Sequence, residues 1–113
     1  MAYDEDLADR IRVACGEVAA GQLVLEKRMF GGLAFLVGGH IAVAAVSRGA
    51  VMLRVDPAHT PQLLALPGVT RMVMRDRELD GWLLVEPGVV EGDDELRRWV
   101  ERGVTCAQAL PPR

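Results

Sequence analysis

A chain of 113 residues, 50% hydrophobic and 26% charged, has the size and composition of one folded domain and not of a disordered segment. Its formal charge of −3 gives no general attraction to phosphate backbones, which weighs against direct nucleic-acid binding. Two cysteines are too few for a secreted disulfide scaffold, the acidic start lacks a signal-peptide pattern, and no apolar run nears the roughly 20 residues of a membrane-spanning helix. The expectation is a single domain over residues 1–113, located in the cytoplasm, with no membrane contact.

Asp4 to Ala20 reads as an amphipathic helix, because Leu7, Ile11, Ala14, Cys15 and Val18 recur on one helical stripe. Asp4 suits the N-cap, Glu5 and Asp6 suit the positive end of the helix, and Gly21 can end it in left-handed geometry. Val13 lies off the stripe. From Leu23 to Val55 the helical period disappears and β character takes over. Gly38-Gly39 between the apolar runs Leu33–Val37 and His40–Val46 predicts a tight hairpin. Those runs are apolar at nearly every position, as for a sheet covered on both faces. Ser47-Arg48-Gly49 predicts another turn, and Ala50–Val55 a strand whose apolarity Arg54 breaks.

Asp56-Pro57 starts a second helix, expected to run to about Leu66 and stop at Pro67-Gly68, with Pro61 disturbing its first half. Thr70–Arg75 alternates as a half-exposed strand, Asp80-Gly81 predicts a turn, and Trp82–Glu86 a further strand. A last helix, capped by Asp93 or Asp94, runs to about Leu110 with Leu96, Trp99, Val100, Ala107 and Leu110 on its apolar stripe and Gly103 on the same face. The class is α+β: a mostly antiparallel sheet of five to six strands with three helices, in the order helix, three or four strands, helix, two strands, helix.

Catalytic patterns are sparse. Gly31-Gly32 and Gly38-Gly39 lead into strands, and a phosphate-binding glycine loop leads into a helix, so they read as a strand entry and a hairpin turn. His40 and His59 lack companions at metal-ligand spacing and read as a turn or strand-edge residue and an exposed helix residue. Cys15 and Cys106 read as small, partly buried hydrophobes in preference to a redox pair. Asp76, Glu78, Asp80 and Glu86 interleave with Arg71, Arg75 and Arg77 as a solvated edge, and Glu91, Asp93, Asp94 and Glu95 serve the start of the last helix. No metal, cofactor or catalytic residue is expected.

The stretch Lys27-Arg28-Met29-Phe30-Gly31-Gly32-Leu33-Ala34-Phe35-Leu36-Val37-Gly38-Gly39-His40 resembles the opening signature of the TfoX/Sxy N-terminal domain family. The similarity continues in Met52-Leu53-Arg54-Val55, in Gly81-Trp82-Leu83-Leu84-Val85-Glu86-Pro87 and in Glu95-Leu96-Arg97-Arg98-Trp99-Val100. The resemblance implies three helices around an antiparallel sheet in a bacterial cytoplasmic protein. Its best-known members regulate natural competence with the cyclic-AMP receptor protein and carry a second, C-terminal domain. The present chain ends just after its last helix and reads as a standalone single-domain member.

The expected function is a non-enzymatic regulatory or adaptor domain that contacts another protein, with a link to transcription or competence regulation. Met29, Phe30, Gly31 and Gly32 shape the first strand, and Lys27, Arg28 and the Arg71–Arg77 edge offer polar contacts; Gly39, His40, Trp82 and Trp99 complete the candidate interaction residues. The alternative is a small-molecule sensor or minor enzyme with a pocket beside Phe30, His40 and Trp82. A homodimer through a sheet edge or Val13 is also open.

Overall fold

The computed structural model describes residues 3–29 and 31–111; Phe30 lies outside them. The elements are α1 (Glu5–Val18), β1 (Val24–Met29), β2 (Gly32–Val37), β3 (His40–Ala45), β4 (Val51–Arg54), α2 (Thr60–Leu64), β5 (Val69–Met74), β6 (Arg77–Val85) and α3 (Asp93–Ala109), with 3₁₀ turns at Ser47–Gly49, Pro57–His59 and Pro87–Val90. The six strands form one antiparallel sheet in the order β1-β2-β3-β4-β6-β5. The expected α+β class and element order are both realised.

Local chemistry explains most boundaries. Asp4 accepts from the backbone N–H groups of Asp6 and Leu7 at 2.9 and 3.2 Å, which satisfies donors that α1 leaves unpaired. After α1, Ala20 and Gly21 both take positive φ and turn the chain toward β1. Gly38 and Gly39, at φ 61° and 83°, make the expected two-residue hairpin between β2 and β3. The second helix is shorter than expected: a 3₁₀ turn begins at Pro57 under the Asp56 cap, and α2 proper starts only at Thr60, with Pro61 in its first turn. α3 starts after Gly92, so Asp93 and Asp94 are first-turn residues and not the cap.

Asp80-Gly81 is not a turn. β6 runs straight through it, and Gly81 at φ 81° accommodates a bulge where the β5–β6 register shifts. The hairpin turn lies earlier, at Arg75 and Asp76, both left-handed at φ 51° and 64°.

Among the described residues, helices cover the sheet on one side only. Leu7, Ile11 and Cys15 of α1, Leu96, Trp99, Val100 and Val104 of α3, and partly Leu63 and Leu64 of α2 pack with Phe35, Val43, Leu53, Leu83 and Val85 of the sheet. Phe35, Val43, Leu53 and Leu83 are fully enclosed. Alongside, Arg10 of α1 donates to the Val90 and Glu91 carbonyl oxygens at 2.8 and 3.0 Å and pairs with Asp93 at 3.0 Å, tying the two terminal helices together. Arg12 donates to both Glu26 oxygens at 2.6 and 2.8 Å, tying α1 to β1.

Candidate functional site

Two features stand out as places where something can bind. The first is the sheet face opposite the helices. Strand register places Lys27, Ala34, Ala44, Met52, Leu84 and Thr70 in one row across it, because side chains alternate between faces along each strand. Ala34, Ala44 and Met52 form a second apolar cluster with Val46 and Ala50. Met29, Leu36, Ile41, Met72, Trp82 and Leu84 ring that cluster, each half-buried. No helix residue belongs to it among the described residues, so its outer surface is apolar side chain facing outward.

The second feature is a cavity of about 740 Å³ between the C-terminal half of α3 and the segment from Arg54 to Leu63. Its walls combine Val55, Leu63 and Leu110 with Arg54, Arg102 and Cys106. Asp56, His59, Gln62, Glu101 and Thr105 also border it. Arg54 follows from the end of β4 and lies 5.4 Å from the Trp82 ring centre; Arg102, three residues along α3 from Trp99, lies 4.4 Å from that ring centre. Burial pushes the Cys106 thiol pKa up, while the positive charge of Arg54 draws it partly down and Asp56 adds to the rise. A smaller hollow of about 530 Å³ lies at the β5–β6 bulge, lined by Leu64, Val69, Arg71, Met72, Glu78 and Leu84 among others.

The residues singled out from sequence are dispersed. Lys27 and Arg28 are exposed on β1, an edge strand, with Lys27 on the outer face and Arg28 on the helix side. Met29 joins the outer-face cluster. Gly31 sits in the β1–β2 turn at φ 70°, and buried Gly32 opens β2. There a Cβ would lie against the Ala45 carbonyl oxygen. Gly39 forms the β2–β3 turn, and His40 Nε2 donates to the Pro111 carbonyl oxygen at 2.6 Å. Trp82 belongs to the outer face and Trp99 to the core beneath the helices. Neither cavity is lined by His40 or Trp82, and Phe30 lies outside the described residues.

Arg71 lies near Glu78 and Asp80, at 3.7 and 3.6 Å, as expected of a mixed-charge edge. Sequence reasoning missed the larger cavity, since its walls come from β4, the α2 segment and α3. The usable signals were Arg54 interrupting an apolar strand and Arg102 one turn beyond Trp99. Among the described residues, no group of three or more His, Cys, Asp or Glu is placed to hold a metal ion, and no helix is long and apolar enough to cross a membrane.

Comparison with known proteins gives one finding: a family model described as TfoX N-terminal domain matches residues 17–107. No curated protein and no solved structure matches the chain.

Proposed function

Because the chain belongs to the TfoX N-terminal domain family, we propose that it is a non-enzymatic regulatory or adaptor domain that binds another protein through the outer face of its sheet, in the bacterial cytoplasm. The observation that carries this reading is the ring of half-buried Met29, Leu36, Ile41, Met72, Trp82 and Leu84 around an enclosed cluster, to which no helix contributes among the described residues. A partner that covers these side chains removes apolar surface from water, at about 25 cal/mol per Å². Methionine and tryptophan are adaptable, large-area contact residues, and a preformed sheet costs little ordering on binding. Lys27 on the same face, with the charged edge around Arg71, supplies the polar rim. A link to transcription or competence regulation is the functional context that family membership suggests.

The test is affinity capture from an extract of the source cell with the wild-type chain and with Met72→Glu and Leu84→Glu. The expected result is a stoichiometric protein retained by wild type and lost from both variants, which keep native circular dichroism. No stoichiometric protein on the wild type, or equal retention by the variants, overturns the reading. Light scattering separates a second copy of the chain from a different partner.

A further inference from the structure

We propose that the cavity between α3 and the Arg54–Leu63 segment binds a small organic monocarboxylate, its acid group held by Arg54 and Arg102 and its apolar body lying toward Leu63 and Leu110. The site meets the outer sheet face at Trp82, on which Arg54 rests, but its test does not depend on a protein partner.

The first argument is how the arginines are satisfied. Four arginines are half-buried among the described residues: Arg10, Arg54, Arg71 and Arg102. Arg10 pairs with Asp93 and Arg71 with Glu78 and Asp80. Arg54 and Arg102, the two that line the cavity, have no carboxylate within ion-pair distance among the described residues and rest instead on Trp82 and Trp99. Stacking on an indole face fixes a guanidinium and leaves its in-plane N–H groups free to donate. A carboxylate accepts such N–H groups in pairs.

The second argument is shape and lining. About 740 Å³ falls within the range of roughly 300–1,000 Å³ typical of pockets for small molecules. Val55, Leu63 and Leu110 give the apolar wall, and Gln62 and Thr105 add neutral hydrogen-bonding groups.

Charge sets the class of acid. Asp56 and Glu101 also border the cavity, so its formal charges balance before anything binds. Asp56 is partly engaged, since its Oδ1 accepts the Ala58 N–H at 2.9 Å. One added negative charge between two guanidiniums is tolerable there; two, as on a phosphate monoester, meet these carboxylates at close range. Orientation follows from α3. The unpaired carbonyl groups at its C-terminal end disfavour an anion beside Ala109 and Leu110, so the acid group lies at the arginine end and the uncharged body at the helix end.

The experiment is an amide-resonance titration of the intact chain with monocarboxylates from acetate to decanoate, and with benzoate and indoleacetate. Each is matched by its neutral amide, and phenyl phosphate serves as the dianion. The expected result is saturable shifts at Gln62, Thr105 and Cys106 with at least one acid, and none with its amide. Phenyl phosphate binds about tenfold or more weaker than the best acid. Arg102→Gln and Arg54→Gln each weaken binding about tenfold, while Arg102→Lys retains part of it. Bound acid also protects Cys106 from alkylation. An unchanged circular dichroism spectrum and a cooperative urea transition in Arg102→Gln separate lost binding from lost folding. No shift with any acid, equal response to the amides, preference for phenyl phosphate, or shifts centred elsewhere overturns the proposal.

Discussion

Gly103 of α3 sits so close to Ala42 of β3 that a Cβ on Gly103 would lie 2.3 Å from the Ala42 carbonyl oxygen. The helix backbone thus rests directly on the sheet, and Trp99, Val100, Val104 and Ala107 pack around that contact. Alanine is the better helix former, by about 1 kcal/mol, but the obstacle here is backbone, which cannot rotate aside. Overpacking wins. Gly103→Ala is expected to lose about 1–3 kcal/mol, read as a lower urea midpoint at unchanged slope.

The Arg12–Glu26 pair makes part of the stability acid-sensitive. The hydrogen bond from Arg12 holds the Glu26 carboxyl below its ordinary pKa, with charge attraction adding to it and partial burial opposing it. A carboxyl lowered on folding contributes stability above its unfolded pKa, and that contribution fades as pH falls through the lower folded value. Both partners are substantially exposed, so Glu26→Gln is expected to cost only about 0.5–1 kcal/mol at neutral pH. The difference from wild type shrinks in acid and in high salt, which denaturant titrations at several pH values check.

The two thiols differ sharply. Cys15 is enclosed in the core, and burial pushes its pKa up to about 12, with the nearby Glu26 charge adding to the rise. Cys106 is half-buried at the cavity wall. A thiol reagent at mildly alkaline pH is expected to modify Cys106 and to spare Cys15 until the chain unfolds, as mass spectrometry of the peptides reads. Cys15 holds its proton more tightly when folded. Its contribution is therefore complete below the ordinary thiol pKa and declines as pH rises toward 12, at up to about 1.4 kcal/mol per pH unit.

The β5–β6 turn carries avoidable strain. Arg75 and Asp76 both occupy the left-handed region, which disfavours side chains with a Cβ. Two-residue hairpin turns of this kind favour Asn-Gly. The double variant Arg75→Asn, Asp76→Gly is expected to gain about 1 kcal/mol, and its melting temperature should rise accordingly. A loss would show that contacts of the Arg75 or Asp76 side chain outweigh the backbone gain.

That same turn shows where sequence reading stops. Gly38-Gly39 was legible because glycine reaches positive φ freely and lies between two apolar runs. Asp80-Gly81 carries the same signal, yet here the glycine serves a bulge inside β6, against the Val55 carbonyl oxygen at 3.0 Å from a notional Cβ. Arg75-Asp76 has no turn signature and was invisible. The stripes of α1 and α3 were plain from their period, and Pro61 announced the short α2. By contrast, uniform apolarity in β2 and β3 suggested cover on both faces, and the structure supplies helices on one. Small residues such as Ala34 and Ala44 become enclosed through their neighbours on the same face, which no single-strand pattern encodes. Of the candidate interaction residues, Met29 and Trp82 share the outer face without touching, on β1 and β6, while His40 and Trp99 serve the Pro111 contact and the core.

The clasp of Arg10 on Val90, Glu91 and Asp93 bears on how the chain is born. Within this domain α1 leaves the ribosome before α3, with the whole sheet between them, yet each is the other's lateral support. Until α3 has emerged, Ile11 and Phe35 lack the cover that Trp99 and Val100 provide, and β2 to β4 present apolar surface on both sides. Sequence-distant closure of this kind slows folding, because loop entropy is lost before the contacts that repay it are made. During that interval a nascent chain is most exposed to aggregation, and a chaperone that shields β2 and β3 would act then.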